Sequence, residues 1–460
     1  MRRLRVLAMD HFFDQDLRAL EAHPGLELRR FPYQRLRNRA VRLMGRDVAS
    51  GLRAYNSPAL GSARGHYAAW LAREVRRLYL ERAFDVIVLP SDTFFYVRTL
   101  PAAAHRLGLP VVVVQKETTI SQATMDVFSR EVEVEAPFVS DFMTVCSERQ
   151  KAFWIRAGAT AGLIEVTGQP RFDVYASRNV MPPSSRPRVL FLTYALDAYV
   201  PGAGRGKGLR TWSSLRDDTE RSLLDLVRAG ACDVIVKCHP QQDYRVEAVR
   251  LAAAAGTSWN HGLSIAAQDA DTRELIIDAD VVVGFQTTAL YEAVAARRRV
   301  IYAAWGAEYE RHRQGLIPFD SAPSGCISHA TSPDHLRTMV TEPPASTIAE
   351  CATWYEESLG CIDGHSSDRV ADRLASVAAG WESTEERRAL EGGRRRFALG
   401  LLARSIAAEA IWTAATPIAR AGGQQLRVAR RRRGAREGRH LATTALRGAE
   451  ANEDPTRGEG

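Results

Sequence analysis

The fold is decided by the stretch Val234-Ile235-Val236-Lys237-Cys238-His239-Pro240. Its apolar residues are typical of a strand buried on both faces of a parallel sheet, and Pro240 cannot continue the ladder of hydrogen bonds. A second apolar run, Ala279-Asp280-Val281-Val282-Val283-Gly284, comes later and leads through Phe285-Gln286-Thr287-Thr288 into a helical pattern. Ligands of open parallel sheets bind where the carboxyl ends of the strands meet helix N-termini. The two runs therefore predict an α/β fold with a binding site at their ends.

Apolar runs alternate with helical patterns twice along the chain, which predicts two parallel sheets, each covered by helices on both faces. The first series of predicted strands covers residues 5–9, 26–30, 85–89, 110–115, 142–146 and 164–167. The second covers residues 188–193, 233–237, 280–284, 300–303 and 325–328. We therefore expect two doubly wound, Rossmann-like α/β domains that face a cleft. The predicted boundaries are 1–172, a proline-rich linker at 173–187, 188–380, and a helical, basic tail at 381–460.

The composition is that of an ordinary globular protein, with 45% hydrophobic and 25% charged residues. The N-terminal residues reach Asp10 too soon to form the apolar core of a secretory signal, and no uncharged apolar run is long enough for a membrane span. The six cysteines contain no Cys-x-x-Cys pair, which predicts reduced thiols and neither a zinc site nor a disulfide framework. Together these features predict a cytoplasmic protein.

The net charge of +8 is unevenly distributed along the chain. Residues 381–460 hold sixteen arginines against ten acidic residues, a net +6, so the first 380 residues carry only +2. This distribution argues against nucleic acid as a partner of the two main domains. Two interpretations of the tail stay open. One is a packing helix with a solvated end, and the other is a helix and an arginine cluster that contact an anionic membrane surface.

Three motifs carry a resemblance to a known group of enzymes. They are Val166-Thr167-Gly168-Gln169-Pro170-Arg171-Phe172-Asp173, then Lys237-Cys238-His239-Pro240, then the run 280–284 with Thr287, Thr288 and Glu292. Over about residues 1–375 the chain resembles GT-B-fold enzymes of bacterial surface polysaccharide synthesis. By pattern it looks like CDP-glycerol glycerophosphotransferases and capsule-type glycosyltransferases, and non-hydrolysing UDP-N-acetylglucosamine 2-epimerases share the scaffold. The resemblance implies a CDP- or UDP-linked donor as substrate, with no metal ion or other cofactor.

The second predicted domain holds the candidate donor-binding residues. His239 lies at the carboxyl end of its strand, where its ring can donate to a phosphate or, when protonated, act as a general acid. Lys237, on the same strand face, is either a fixed positive charge or a paired lysine. Thr287 and Thr288 precede a helix, where hydroxyl groups bind phosphate or cap the helix. The resemblance implies that Glu292 binds the ribose hydroxyls, and a solvated glutamate is the alternative.

The first predicted domain is expected to bind the acceptor and to supply the catalytic base. A base must reach the acceptor hydroxyl, and burial in a cleft raises the pKa of a carboxylate into a useful range. Candidates at strand ends are Glu117, Asp10 and Asp92. The teichoic acid enzymes that the chain resembles place a histidine near the end of the strand corresponding to 110–115. Here Gln115-Lys116-Glu117 follows instead, so Glu117 becomes the first candidate, with a simple pairing to Lys116 as the alternative.

These observations predict a transferase that moves a glycosyl or polyol-phosphate group from a nucleotide-activated donor to a surface-glycan or lipid-linked acceptor. Two alternatives stay open. One is a nucleotide-sugar 2-epimerase on the same fold, which needs no acceptor. The other is a GT-B-like binding or assembly protein without activity.

Overall fold

Two parallel sheets form the framework of the molecule. The computed structural model describes residues 2–10, 14–116, 125–176, 186–193, 212–239, 242–267, 269–313, 322, 325–342, 352–397 and 399. The first sheet contains β1 (Leu4–Met9), β2 (Leu26–Phe31), β3 (Val86–Leu89), β4 (Val111–Val114), β5 (Phe142–Val145) and β6 (Ile164–Val166). The second contains β7 (Arg188–Leu192), β8 (Asp233–Lys237), β9 (Leu263–Ile265), β10 (Val281–Gly284), β11 (Arg299–Ala303) and β12 (Ser328–Ala330). All pairings between neighbouring strands are parallel.

Helices connect the strands and cover the sheets. In the first half they are α1 (Asp14–Ala22), α2 (Tyr33–Met44), α3 (Leu52–Tyr55), α4 (Gly61–Glu81), α5 (Leu100–His105), α6 (Met125–Glu135), α7 (Glu148–Arg156) and α8 (Asp173–Ala176). In the second half they are α9 (Ser213–Arg228), α10 (Tyr244–Ala255), α11 (Thr272–Asp278), α12 (Ala289–Ala295), α13 (Ala307–His312), α14 (Pro333–Thr341), α15 (Ala352–Ser358) and α16 (Ser366–Ala379). Short 3-10 turns occupy residues 46–50, 58–60, 161–163, 170–172 and 256–258.

The strand order of each sheet reverses once. The orders are β2-β1-β3-β4-β5-β6 and β12-β11-β10-β7-β8-β9. The connections therefore run in opposite directions from β1 and β3 in the first sheet and from β7 and β10 in the second. Such reversals open a crevice at the carboxyl edge of a doubly wound sheet. The predicted α/β class with two doubly wound domains is confirmed.

Alternation along the central strands produces two apolar faces in the first domain. Val86 and Val88 pack on one face, whereas Ile87 and Leu89 pack on the other. The first of these faces is covered by α1 and also by α16, through Val370 and its apolar neighbours. Thus α16, which lies in the range predicted as the second domain, packs against the first sheet.

The segment after α16 continues along the first domain. Residues 385–390 are helical, Leu390 is buried in the same core as α2 and α4, and the Arg387 guanidinium bonds to Asp85. The chain separates into two compact units after Leu390, and residues 391–397 of the second unit are helical. The predicted arginine cluster of the tail lies outside the described residues.

Three elements and one cysteine differ from the sequence-based expectation. The strand β9 and the helices α2 and α6 were not anticipated, because β9 has only three residues and the two helices carry many charges. Cys326 is disulfide-bonded, so the expectation of reduced thiols throughout is wrong at that position. Cys146, Cys232, Cys238 and Cys361 are free thiols.

Candidate functional site

A cavity of about 360 Å³ lies between the two domains at the carboxyl edge of the second sheet. The first domain contributes Asp14, Gln15 and Arg18 from α1. The second contributes residues 237–239 at the end of β8 and the loop between β9 and α11. Clefts that bind small ligands occupy roughly 300–1,000 Å³ and combine contacts from more than one element. The volume is sufficient for a nucleotide-sized ligand.

Lys237 and His239 both line this cavity, as expected of neighbours on one strand face. The Lys237 ammonium donates a 3.1 Å hydrogen bond to the carbonyl of Ala267, which ties β8 to the loop after β9. Burial lowers the pKa of Lys237 below its ordinary value. The His239 backbone N–H donates to Gln242 Oε1 at 2.7 Å, and this bond fixes the turn after the strand. Burial likewise lowers the pKa of His239 below its ordinary value, so the neutral imidazole is favoured before an anion binds.

The loop between β9 and α11 supplies the acidic wall of the cavity. Asp271 caps α11 by accepting from the Arg273 backbone N–H at 2.9 Å, and it also binds the Arg273 guanidinium at 2.7 Å. The Arg273 bond is the largest of the effects that hold the pKa of Asp271 below its ordinary value, and the Arg18 charge across the cavity adds to them. The cavity therefore contains cations from both domains beside carboxylates that are already paired.

Thr287 and Thr288 lie on the same sheet edge but do not line the cavity. The Thr287 hydroxyl accepts from the Ala289 backbone N–H at 3.3 Å, and Thr288 is the N-cap residue of α12 without a side-chain cap bond. The strand that leads to them, β10, is separated from β8 by β7. Because neighbouring strands lie about 4.8 Å apart, the two pairs of candidate residues are roughly 10 Å from one another. One ligand must extend along the edge to contact both.

The residue before Thr287 has an unusual backbone conformation. Gln286 has φ of +46°, a left-handed conformation that is uncommon for residues other than glycine. Its side-chain amide donates a 2.7 Å hydrogen bond to the Tyr302 hydroxyl on the neighbouring strand β11. Left-handed residues of this kind concentrate at binding sites. Its position at the reversal between β7 and β10 matches the crevice expected of this topology.

Glu292 lies in a buried ionic network that joins the two domains. Its Oε2 accepts a 2.9 Å hydrogen bond from the Tyr175 hydroxyl, and its Oε1 lies 3.6 Å from Arg171 Nε. Arg171 also binds Asp16 of α1 at 3.0 Å, and Gln169 Nε2 donates to the same aspartate at 2.7 Å. Burial raises the pKa of Glu292, although Arg171 acts in the opposite direction. A ribose would reach Glu292 only by sharing these partners, so its ribose-binding role stays a prediction.

The candidate bases of the first domain have different surroundings. Asp10 follows β1 beside the reversal of the first sheet, is half-buried, and accepts from the Tyr33 backbone N–H at 3.1 Å. Asp92 is fully buried, and its Oδ2 accepts from the backbone N–H groups of Val139 and Ser140. These bonds give Asp92 a structural role in holding the loop before β5. Glu117 lies outside the described residues.

Sequence reasoning missed the contribution of α1 and the role of the third motif. The helix α1 supplies Arg18 to the cavity and Asp16 to the buried network, although nothing in its sequence distinguishes it from other charged helices. The motif 168–173 connects the domains, because Asp173 accepts from the backbone N–H groups of Ser366 and Ser367 at the start of α16. Only the juxtaposition of both domains reveals these roles.

Within the described residues, no group of three or more histidine, cysteine, aspartate or glutamate side chains is arranged to hold a metal ion. The helices of this part of the chain also include none that is long and apolar enough to cross a membrane.

Comparison with known proteins gives a likeness of fold without a family. No protein-family model matches the chain, and no curated protein matches it. Among solved structures, the chain is similar to a putative UDP-N-acetylglucosamine 2-epimerase from Listeria monocytogenes, with 12% identity, a TM-score of 0.49, and coverage of 84% of this chain and 98% of that one. The UDP-GlcNAc 2-epimerase from Methanocaldococcus jannaschii has 14% identity and a TM-score of 0.49, covering 81% and 99%. Anabaena Alr3699/HepE in complex with UDP-glucose has 13% identity and a TM-score of 0.42, covering 82% and 100%. At these identities and TM-scores the likeness assigns no activity.

Proposed function

We propose that the chain is an enzyme that breaks the bond between a nucleotide and the group that the nucleotide carries. The observation that supports this proposal is the cavity between the domains, which is lined by Lys237 and His239 and large enough for a nucleotide-activated donor. The donor's phosphates would lie against Lys237 and His239, and the group to be moved would point toward the first domain. Glycosyl or polyol-phosphate transfer to a surface-glycan or lipid-linked acceptor is the reaction that we propose.

The chemistry of the transfer follows from the placement of these groups. The acceptor hydroxyl oxygen attacks the donor at carbon or phosphorus, a base removes the hydroxyl proton, and the bond to the nucleotide phosphate breaks. The electron pair of that bond stays on the leaving phosphate. The Lys237 cation and a His239 N–H would stabilise this developing charge, in the way that positioned donors do at other anionic transition states.

The base belongs to the first domain in this proposal. Asp10 is the described candidate, because it follows β1 beside the reversal of the first sheet and is half-buried. Glu117 is the second candidate from the sequence. Asp92 is a weaker candidate because its carboxylate is buried and bonded to the backbone.

Isomerisation of the same donor is the alternative reaction. It needs no acceptor, but inversion at a carbon requires proton removal on one face and proton delivery on the other. Several of the similar solved structures are titled as UDP-N-acetylglucosamine 2-epimerases, which makes UDP-N-acetylglucosamine a necessary member of any donor panel. A binding or assembly role without turnover is the remaining alternative.

The test is an assay of nucleotide release from UDP-N-acetylglucosamine, UDP-glucose and CDP-glycerol, each with and without a glycan acceptor. Glycosyl transfer releases a nucleoside diphosphate, polyol-phosphate transfer releases a nucleoside monophosphate, and both require the acceptor. An epimerised donor formed without acceptor would establish isomerisation instead. Binding without any turnover would contradict the enzymatic proposal.

Asp10→Asn is the informative variant in this assay. It should bind nucleotide as the wild type does but lose at least a hundredfold in the rate of release, which is the usual contribution of a general base. The matched control is Asp334→Asn, because Asp334 is exposed on α14 and distant in sequence from every candidate site residue. Equal rates for wild type and Asp10→Asn would assign the base to another residue.

A further inference from the structure

The first domain carries a concentration of positive charge that its overall charge conceals. Residues 29–64 contain nine arginines and one aspartate, a net charge of +8, which equals that of the whole chain. The remainder of the first 380 residues therefore compensates with an excess of acidic groups. This stretch includes α2, which has four arginines and no acidic residue among its twelve positions.

The arginines of α2 meet those of α4 on one surface. Arg35 and Arg77 both bind the buried carboxylate of Glu74, at 2.9 Å and 2.8 Å. The Arg39 guanidinium lies over the Trp70 ring, 5.7 Å from its centroid. These contacts place the two helices side by side with their arginines on the same side.

We call this surface the arginine face and define it by five residues. Arg35, Arg39 and Arg42 follow one another at spacings of four and three, so they share one side of α2. Arg73 and Arg77 are the members from α4, at the same spacing of four. Arg42 and Arg73 are exposed, and the ion pairs among the described residues include none from either of them. The face therefore presents uncompensated positive charge to solvent.

We infer that the arginine face docks the first domain on an anionic lipid surface. Arginine stems cover apolar surface while their guanidinium groups reach phosphate, and a tryptophan beneath them is typical of the membrane–water interface. The exposed large apolar residues of the described chain lie on other elements, such as Val127 on α6 and Val249 on α10, so docking would be electrostatic and without insertion. The arginines line no part of the cavity between the domains, so a docked face leaves that cavity accessible.

The test measures binding of the full chain to vesicles of phosphatidylcholine, with and without phosphatidylglycerol. Binding is expected only to the anionic vesicles, and it should weaken as the salt concentration rises. Each cation near such a surface strengthens binding roughly fivefold, so the double reversal Arg42→Glu with Arg73→Glu should lower the partition coefficient more than tenfold. The milder pair Arg42→Gln with Arg73→Gln should give an intermediate loss.

A matched control separates the arginine face from net charge and from the basic tail. Arg228→Glu with Arg245→Glu changes the net charge equally but alters exposed arginines of the second domain. This variant should bind anionic vesicles as the wild type does. Thermal midpoints within a few degrees of the wild type would show that the variants are folded.

Three outcomes would overturn the inference. The first is equal binding by the wild type and the Arg42→Glu/Arg73→Glu variant, which would place lipid binding elsewhere in the chain. The second is equal loss in the control variant, which would make the effect one of net charge alone. The third is retention on soluble polyphosphate without vesicle binding, which would assign the arginine face to a soluble polyanion.

Discussion

The Tyr175 hydroxyl donates a 2.9 Å hydrogen bond to Glu292 Oε2 across 117 positions of sequence. Tyr175 lies on α8, immediately after the motif that leaves the first domain, whereas Glu292 lies on α12 of the second domain. Both side chains are buried, and Arg171 extends the network to Asp16 on α1. The same helix α1 lines the candidate site, so this network sets the position of one wall of the cavity.

The first prediction concerns this hydrogen bond. Tyr175→Phe should lower the free energy of unfolding by about 1–2 kcal/mol, because it leaves an oxygen of a buried carboxylate without its donor. Chemical denaturation of the two single variants, Tyr175→Phe and Glu292→Gln, and of the double variant measures the coupling. We expect a coupling energy of at least about 0.5 kcal/mol, and additive effects would show that the two side chains do not interact in solution.

The second prediction concerns the close approach of the two domains at Gly360. Its φ is +73°, and a Cβ at this position would lie 1.7 Å from the carbonyl oxygen of Cys146. Gly360→Ala should therefore lower the free energy of unfolding by about 2–5 kcal/mol, through the clash and the left-handed backbone together. Gly230→Ala isolates the backbone effect, because Gly230 has φ of +69° and nothing within 4 Å, and it should cost about 1 kcal/mol. Similar losses in the two variants would contradict the close contact.

The third prediction concerns the segment that returns to the first domain. The Arg387 guanidinium is buried and donates to Asp85 Oδ1 at 2.9 Å and to the Phe84 carbonyl at 3.1 Å. Arg387→Met should cost about 2–3 kcal/mol of folding free energy, since Asp85 keeps its bond to Arg5 but loses this partner. The neighbouring Arg388→Met, at an exposed position, should change stability by less than about 0.5 kcal/mol. Equal effects would show that residues 385–390 do not pack as described.

The fourth prediction is a pH dependence that arises from His239. Burial lowers the pKa of His239 in the folded chain below its ordinary value of 6.5. Below about pH 6.5 the unfolded chain therefore binds more protons than the folded chain, and stability falls as the pH falls. The melting temperature of His239→Gln should decline less steeply between about pH 6.5 and pH 5 than that of the wild type. His66→Gln, at an exposed position, is the control and should follow the wild type.

The strands were predictable from the sequence because strands buried on both faces are continuous apolar runs. Val86–Leu89 and Val111–Val114 are such runs, and both lie in the centre of the first sheet. The edge strand Leu263–Ile265 was missed, since three residues carry too little periodicity to separate a strand from a loop. Thus the centre of each sheet was predictable and its edges less so.

The candidate site was predictable only in part. Lys237 and His239 were identified because a proline ends their strand, and the structure places both at one cavity. The pairing of Asp16 with Gln169 spans 153 positions, and no local pattern encodes a contact of that range. Averaging the charge over the first 380 residues likewise concealed the arginine face, because acidic residues elsewhere cancel it.

Nucleotide binding at the cavity is the central claim, and a thermal-shift measurement with CDP, CMP, UDP and GDP tests it most directly. Saturation at a hundred times the Kd should stabilise the wild type by about 2.7 kcal/mol. For domains of this size that corresponds to a rise in melting temperature of about 2–4 °C with at least one nucleotide. The rise should shrink in His239→Ala and persist in His66→Ala. No shift with any of the four nucleotides, or an equal shift in both variants, would contradict a phosphate site at Lys237 and His239.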